Sequence, residues 1–179
     1  IRYCLTKTYI MKIRTYVLSV TAGIFFLSAG TDKASLTEGC RPGNLAPGIK
    51  SLGTDADITF PNNSGNYTLL HFWAAYDAES RMKNVQLWNK LNHDDMSSQV
   101  KMVSVSMDKL VSVFTETVKA DKLEETNQVH EELGERSEVY RKYGLKKGLR
   151  NFLIDDKGVI IATDIAPDRL SEVMSKRKN

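Results

Sequence analysis

Hydrophobic residues in this sequence form several short runs with strand-like spacing. The first run is nearly continuous and is interrupted by His71, which is typical of a strand buried on both faces. A second segment alternates through Val103, Val105 and Met107. Two further segments flank the turn residues 156–158 and predict a β-hairpin. The four predicted strands are Tyr67–Trp73, Val100–Met107, Asn151–Asp155 and Val159–Asp164.

Between and after these strands, apolar residues recur at helical spacing. Asp77 stands where a helix cap is expected, with Glu79 in the first turn, and Pro167 marks the start of the last helix. Alternation of strands and helices before a closing hairpin predicts an α/β fold, a mixed central sheet flanked by helices on both faces. The apolar helical positions are Met82, Val85, Trp88 and Leu91; Leu110, Val111, Phe114 and Val118; Val139, Tyr140 and Tyr143; and Leu170, Val173 and Met174.

The first 30 residues differ in composition from the rest. They carry four basic residues and no acidic one, then an apolar run at 16–27 and small residues at 28–30. This order is typical of a secretory signal peptide, and the run is shorter than the roughly 20 residues that span a membrane. We expect a signal peptide over residues 1–30 with its start at Met11, and a single domain over 31–179 with no membrane span after cleavage.

Export changes how the overall charge is interpreted. The 179 residues carry 25 Lys and Arg against 22 Asp and Glu, a formal charge of +3. Removal of residues 1–30 leaves 21 basic against 22 acidic residues, a charge of −1, so no nucleic-acid partner is expected. Cys4 leaves with the signal, and Cys40 remains as the single thiol.

The segment from His71 to Arg81 resembles the strand-to-helix turn of the thioredoxin-like superfamily. The resemblance is to the exported TlpA/ResA-like thiol-disulfide oxidoreductases and the AhpC/TSA branch. It rests on Phe72-Trp73-Ala74-Ala75-Tyr76 before the helix and on Phe152-Leu153-Ile154-Asp155-Asp156-Lys157-Gly158 in the hairpin. It also rests on Gly43-Asn44-Leu45-Ala46-Pro47 in residues 31–48, the lead-in, whose composition predicts an irregular segment. It implies a thioredoxin-like fold over nearly all of the mature chain, and a bacterial envelope location, periplasmic or secreted.

The chain departs from this family at each catalytic position. Asp77 and Ser80 occupy the positions of the two cysteines of the C-x-x-C motif. The family also has a cis-proline before the F-L-I-D strand, where either Leu149 or Arg150 stands here. Because exchange requires an attacking thiolate and a second thiol, these residues cannot perform it. The family's binding cleft corresponds to Trp73, Tyr76, Asp77, Glu79, Ser80, Arg81, Leu149 and Arg150.

Asp77 keeps a negative group at the helix start, where it can accept hydrogen bonds from free amides. Asp77 with Glu79 could also serve as a carboxylate pair, but residues of this type are common in a first helical turn. Arg150, in a basic segment that faces the helix start in this fold, is a candidate ion-pair partner for Asp77. Its basic neighbours are Arg141, Lys142, Lys146 and Lys147.

No cofactor or metal is expected. Ser80 lacks a histidine close in sequence that could activate it. His71, His93 and His130 do not have the spacing of metal ligands.

Two functions are compatible with this pattern. The first is an exported protein without a dithiol site that binds a partner protein or peptide through the retained cleft. The alternative is a thiol-disulfide oxidoreductase or peroxidase relative that acts through Cys40 alone. Cys40 lies in the lead-in rather than at the helix start, which favours the first function.

Overall fold

A computed structural model describes residues 36–50, 57–94 and 96–176. The predicted signal peptide lies outside these residues. Within them the protein has one five-stranded sheet with strands in the order β3-β2-β1-β4-β5. The strands are β1 (Tyr67–Trp73), β2 (Val100–Ser106), β3 (Gln128–His130), β4 (Asn151–Ile154) and β5 (Ile160–Thr163).

The sheet is mixed, as predicted. β1 pairs with β2 in parallel, with His71 opposite Ser104, and β2 pairs with β3 in parallel. On its other side β1 pairs with β4 antiparallel, with His71 opposite Asn151, and β4 pairs with β5 antiparallel. β1 is therefore the central strand, and its carboxyl end leads through a short turn into the helix that begins at Ala78.

In residues 36–50, 57–94 and 96–176, four helices accompany the sheet, and short 3₁₀ turns link several elements. The helices are α1 (Ala78–His93), α2 (Val111–Ala120), α3 (Glu138–Lys142) and α4 (Leu170–Ser175). The 3₁₀ turns are Glu125–Asn127, Gly134–Arg136, Leu145–Lys147 and Pro167–Arg169. Within the described ranges, no helix has the length and apolar character needed to cross a membrane.

The two faces of the sheet pack against different elements because strand side chains alternate. The first face, which carries Leu70 and Phe72, packs against α3 and residues 46–49. The second face, which carries Leu69 and Trp73, packs against α1, α2 and α4. Coverage on both faces confirms the predicted layers.

The lead-in belongs to the fold although its composition suggested an irregular segment. Gly43 N donates to Ile160 O at 2.8 Å, and Ile160 N donates to Asn44 O at 2.9 Å, so the lead-in pairs with the first residue of β5. The buried Tyr143 hydroxyl donates to Pro47 O at 2.6 Å and joins the lead-in to the end of α3.

Three details differ from the sequence prediction. β3 was not predicted, because three residues are too few to show alternation. Met82 is 59% exposed, and α1 buries Leu87, which was not predicted, together with the predicted Leu91. Leu110 is the N-cap of α2 and is 62% exposed, so the apolar start of that helix does not enter the core.

Candidate functional site

The turn formed by residues 74–77 joins the end of β1 to the start of α1. Trp73 ends β1 and is fully buried, and Asp77 N donates to Ala74 O at 3.1 Å. Asp77 is the N-cap of α1 with extended backbone angles, as predicted. However, its side chain makes no capping hydrogen bond, so the expected bonds from the helix amides to this carboxylate are not formed.

Ser80 is 2% exposed, and its hydroxyl is engaged by the backbone. The hydroxyl donates to Asp77 O at 3.2 Å and accepts from Ala74 N at 3.3 Å. These two bonds fix the turn between β1 and α1. Because the hydroxyl proton points to a carbonyl and not to a base, Ser80 lacks the arrangement of an activated nucleophile.

His71 lies beneath this turn and was not assigned to the site from the sequence. Its Nε2 is 2.9 Å from Ser80 O, which can only accept, so Nε2 carries the proton. The side chain is fully buried, and burial lowers the pKa of His71 to about 4. Its Nδ1 has no hydrogen-bond partner within the described residues. The signal in the sequence was the polar interruption of an otherwise apolar strand.

A pocket of about 470 Å³, the charged pocket, opens beside the start of α1. One wall comes from the first turns of α1 and the other from the segment before β4 and from Asp164 after β5. The pocket brings together five residues predicted from the sequence: Asp77, Glu79, Ser80, Leu149 and Arg150. Its other lining residues are Lys83, Lys147, Gly148 and Asp164.

Most charges in the charged pocket are neutralised in pairs. Lys83 Nζ lies 3.6 Å from Glu79 Oε1. The Arg150 guanidinium binds both carboxylate oxygens of Asp164 and lies 5.6 Å from the centre of the Phe152 ring. The expected pairing of Arg150 with Asp77 is therefore wrong. The reason is local, since the hairpin brings Asp164 next to β4 through the bond from Asp164 N to Asn151 O at 3.0 Å.

Tyr76 lies on the opposite side of the turn. It is 65% exposed and lines a second opening of about 380 Å³, the apolar groove. Asp108 joins this groove to the turn, because its buried carboxylate accepts from Ala75 N at 2.9 and 3.1 Å. Neighbouring residues Tyr76 and Asp77 thus face two different openings. The groove is lined by Tyr76, Met107, Asp108, Lys109, Leu110, Val113 and Glu135.

Two other predicted residues have structural positions outside the charged pocket. Trp73 packs with Val118 and Leu123 beneath α2. Arg81 makes two hydrogen bonds to Asp121, at 2.6 and 2.8 Å, and so joins α1 to the end of α2.

Cys40 is a free, half-buried thiol in the lead-in. It packs against the apolar cluster on the first face of the sheet, and a Cβ built on Gly144 would lie 3.5 Å from its Sγ. It is not among the residues that line the charged pocket. In the part of the chain that the structure describes, no group of three or more His, Cys, Asp or Glu side chains could hold a metal ion.

Comparison with known proteins places this architecture in a family. The chain is similar to a thioredoxin-like protein from Parabacteroides distasonis of known structure. The two are 51% identical, the match covers 78% of this chain and 98% of the other, and the TM-score is 0.66. StoA from Bacillus subtilis is 26% identical over 66% of this chain and 89% of its own, with a TM-score of 0.54.

More distant structures share the fold. The thioredoxin domain of a thiol-disulfide oxidoreductase from Bacteroides vulgatus is 22% identical, covers 78% of this chain and 99% of its own, and has a TM-score of 0.64. No family model matches the sequence, and no curated protein does either. From the 51% identity and the shared architecture, this chain belongs to the thioredoxin-like proteins.

Proposed function

We propose that this chain is an exported thioredoxin-fold protein of the bacterial envelope that binds a partner protein or peptide and does not perform dithiol exchange. The observation that carries the proposal is the charged pocket itself. Its walls come from the helix start and the segment before β4, while Asp77 and Ser80 stand where the family resemblance expects cysteines. An Asp and a Ser can form neither a mixed disulfide nor its resolving thiolate.

The surroundings of Ser80 support a binding role over a new hydrolytic one. His71 contacts the Ser80 carbonyl and not its hydroxyl, and that hydroxyl already donates to Asp77 O. The polar residues of the turn therefore hold the helix start in place. The other charges of the pocket form the pairs Lys83–Glu79 and Arg150–Asp164. Asp77 on one wall and Lys147 on the other have no ion pair in the described ranges and are available to a ligand.

Insulin reduction tests the loss of exchange. We expect the mature protein to give no turbidity above the background of dithiothreitol, and the Asp77→Cys/Ser80→Cys variant to serve as a gain-of-function comparison. Activity that persists after the thiol of Cys40 has been blocked in unfolding buffer would come from a contaminating enzyme. Activity that disappears in Cys40→Ser would contradict the proposal and favour chemistry at Cys40.

Peptide binding can be mapped by NMR with reduced and alkylated insulin B chain, an extended polypeptide that cannot exchange disulfides. We expect amide shifts in residues 77–81 and 147–150. Lys147→Ala should weaken binding severalfold, whereas Lys101→Ala, which removes an exposed lysine outside the pocket lining, should not. Shifts confined to other surfaces would refute the pocket as the binding site.

A further inference from the structure

A separate pocket of about 270 Å³ lies on the other side of the sheet from α1, between the lead-in and the segment that follows β3. One of its lining residues is Glu131, which is 4% exposed. A carboxylate this deeply buried usually has a charged or multiple hydrogen-bonding partner. No residue of this pocket lines the charged pocket, so it is a second site.

Glu131 is only partly satisfied by the protein. Leu133 N donates to its Oε1 at 3.1 Å, and within the described ranges this is its one side-chain hydrogen bond. No cation forms an ion pair with it in the same residues. Burial raises the pKa of Glu131, as expected for a carboxylate that lacks a compensating charge. Oε2 therefore retains its capacity to accept a hydrogen bond from a ligand.

The rest of the lining combines aliphatic and charged side chains. Leu133 and Val139 supply aliphatic surface, while the Ser137 hydroxyl already accepts from Tyr140 N. Lys142, a further lining residue, is neutralised by Glu38 at 3.1 Å and Glu138 at 3.2 Å. The volume lies just below the range of pockets for drug-sized ligands, which suits a small ligand.

We propose that this pocket binds a primary ammonium group on an unbranched aliphatic stem, with the ammonium on the Glu131 carboxylate and the stem against Leu133 and Val139. An ammonium ion supplies the donor and the positive charge that the buried carboxylate lacks. The stem replaces water on the aliphatic wall. Lys50, an exposed residue of the lining, would instead favour an anion, so the test compares both charges.

The probes are pentylamine, 1-pentanol and pentanoate, titrated into the whole mature protein and followed by the amide signals of Leu133, Ser137 and Val139. We expect pentylamine to bind at least about tenfold more tightly than the neutral alcohol, as for one charge-assisted hydrogen bond. Binding of pentanoate as tight as that of pentylamine would overturn the proposal, because Lys50 would then select the ligand. Absence of any shift with pentylamine would overturn it as well.

Two variants separate the carboxylate from general charge effects. Glu131→Gln keeps an acceptor for Leu133 N but removes the charge, and should weaken pentylamine binding at least about tenfold. Glu132→Gln removes an exposed neighbouring charge outside the pocket lining and should not. Equal affinity of both variants for pentylamine would contradict the assignment to Glu131.

The wild-type protein offers a readout that needs no variant. Alkylammonium groups keep their charge below about pH 10. Binding should therefore weaken as the pH falls through the pKa of Glu131, and saturating pentylamine should lower that pKa in a carboxyl ¹³C titration. A pKa that does not move on binding would overturn the proposal even if Glu131→Gln fails to fold.

Discussion

The two faces of the central sheet are built from different side chains. The first face has an unbroken apolar cluster in which the ring of Phe72 lies 4.9 Å from that of Tyr143 and 6.0 Å from that of Phe152. The second face has apolar residues at both ends and a polar band between them. The polar band consists of Asn151, His71, Ser104 and Gln128 from adjacent strands, with Asn84 of α1 packed over it.

The polar band is hydrogen-bonded, but incompletely. Ser104 Oγ donates to Asn84 Oδ1 at 2.6 Å, and Asn84 Nδ2 donates to Gln128 Oε1 at 3.3 Å. The buried side-chain nitrogens without partners in the described ranges, His71 Nδ1, Trp73 Nε1 and Gln128 Nε2, all lie on this face. Unpaired buried polar atoms lower stability, and proteins tolerate such atoms mainly near functional sites. The polar band reaches the start of α1 through His71, which contacts Ser80 O, and Ser80 lines the charged pocket.

The largest expected effect comes from the first face. Phe72→Ala removes a fully buried ring from the aromatic cluster and should lower the free energy of unfolding by about 3–5 kcal/mol. Urea denaturation followed by circular dichroism measures this value. Tyr76→Ala, which removes an exposed aromatic ring, should change stability by less than about 0.5 kcal/mol. Comparable losses in the two variants would contradict the described packing.

Acid should destabilise the second face through His71. Burial lowers the pKa of this side chain from 6.5 to about 4, so the unfolded chain binds the proton first as the pH falls. The contribution of His71 is present above pH 6.5 and is lost between pH 6.5 and 4, by about 3 kcal/mol. The slope of unfolding free energy against pH should therefore be shallower in His71→Gln.

His93→Gln is the matched control, because the side chain of His93 is 89% exposed. It should leave the acid dependence between pH 6.5 and 4 unchanged, because its contact with Asp94 affects a carboxylate that titrates below this range. A wild-type slope that persists in His71→Gln would mean that carboxylates, and not this histidine, determine the acid response.

A smaller effect is expected within the polar band. Ser104→Ala removes the donor to Asn84 Oδ1 and should cost about 1–3 kcal/mol, because the amide oxygen stays buried without that partner. Asn84→Ala removes the same bond together with the donor to Gln128 Oε1. A double-mutant cycle measured by urea denaturation gives the coupling energy, and additive effects would show that the two side chains do not depend on each other.

The smallest effect is expected at Asp77, although helix caps usually matter. Ser137 Oγ accepts from Tyr140 N at 3.0 Å, so Ser137→Ala should cost about 1 kcal/mol. Asp77 makes no such bond, and Asp77→Ala should cost less than about 0.5 kcal/mol. Thermal unfolding of the two variants measures the difference. A larger loss for Asp77→Ala would mean that its carboxylate stabilises α1 in solution.

Most helices and strands on both faces could be predicted, because alternation and helical spacing determine which residues are buried. β1, the hairpin and α3 begin and end within a few residues of the positions expected from the sequence. β3 could not be predicted, because its three residues gain their structure from pairing with β2 and not from a local pattern.

The charged pocket was predicted in part. The family resemblance located Asp77, Ser80, Leu149 and Arg150 on its walls, but not the partner of Arg150. That partner depends on how the hairpin brings Asp164 beside β4, which spacing alone does not determine. Similarly, a single polar residue in an apolar run did not indicate that His71 would reach Ser80 O, because this contact joins a strand to the helix above it.

The hydrogen bonds between residues 43–44 and Ile160 bear on how this chain can be shortened. β5 is an edge strand, and the lead-in occupies main-chain groups that would otherwise be free to pair with another molecule. A protein that began at Tyr67 would leave these groups unpaired and should self-associate. Residues that resemble a linker by composition therefore cover the start of an exposed sheet edge.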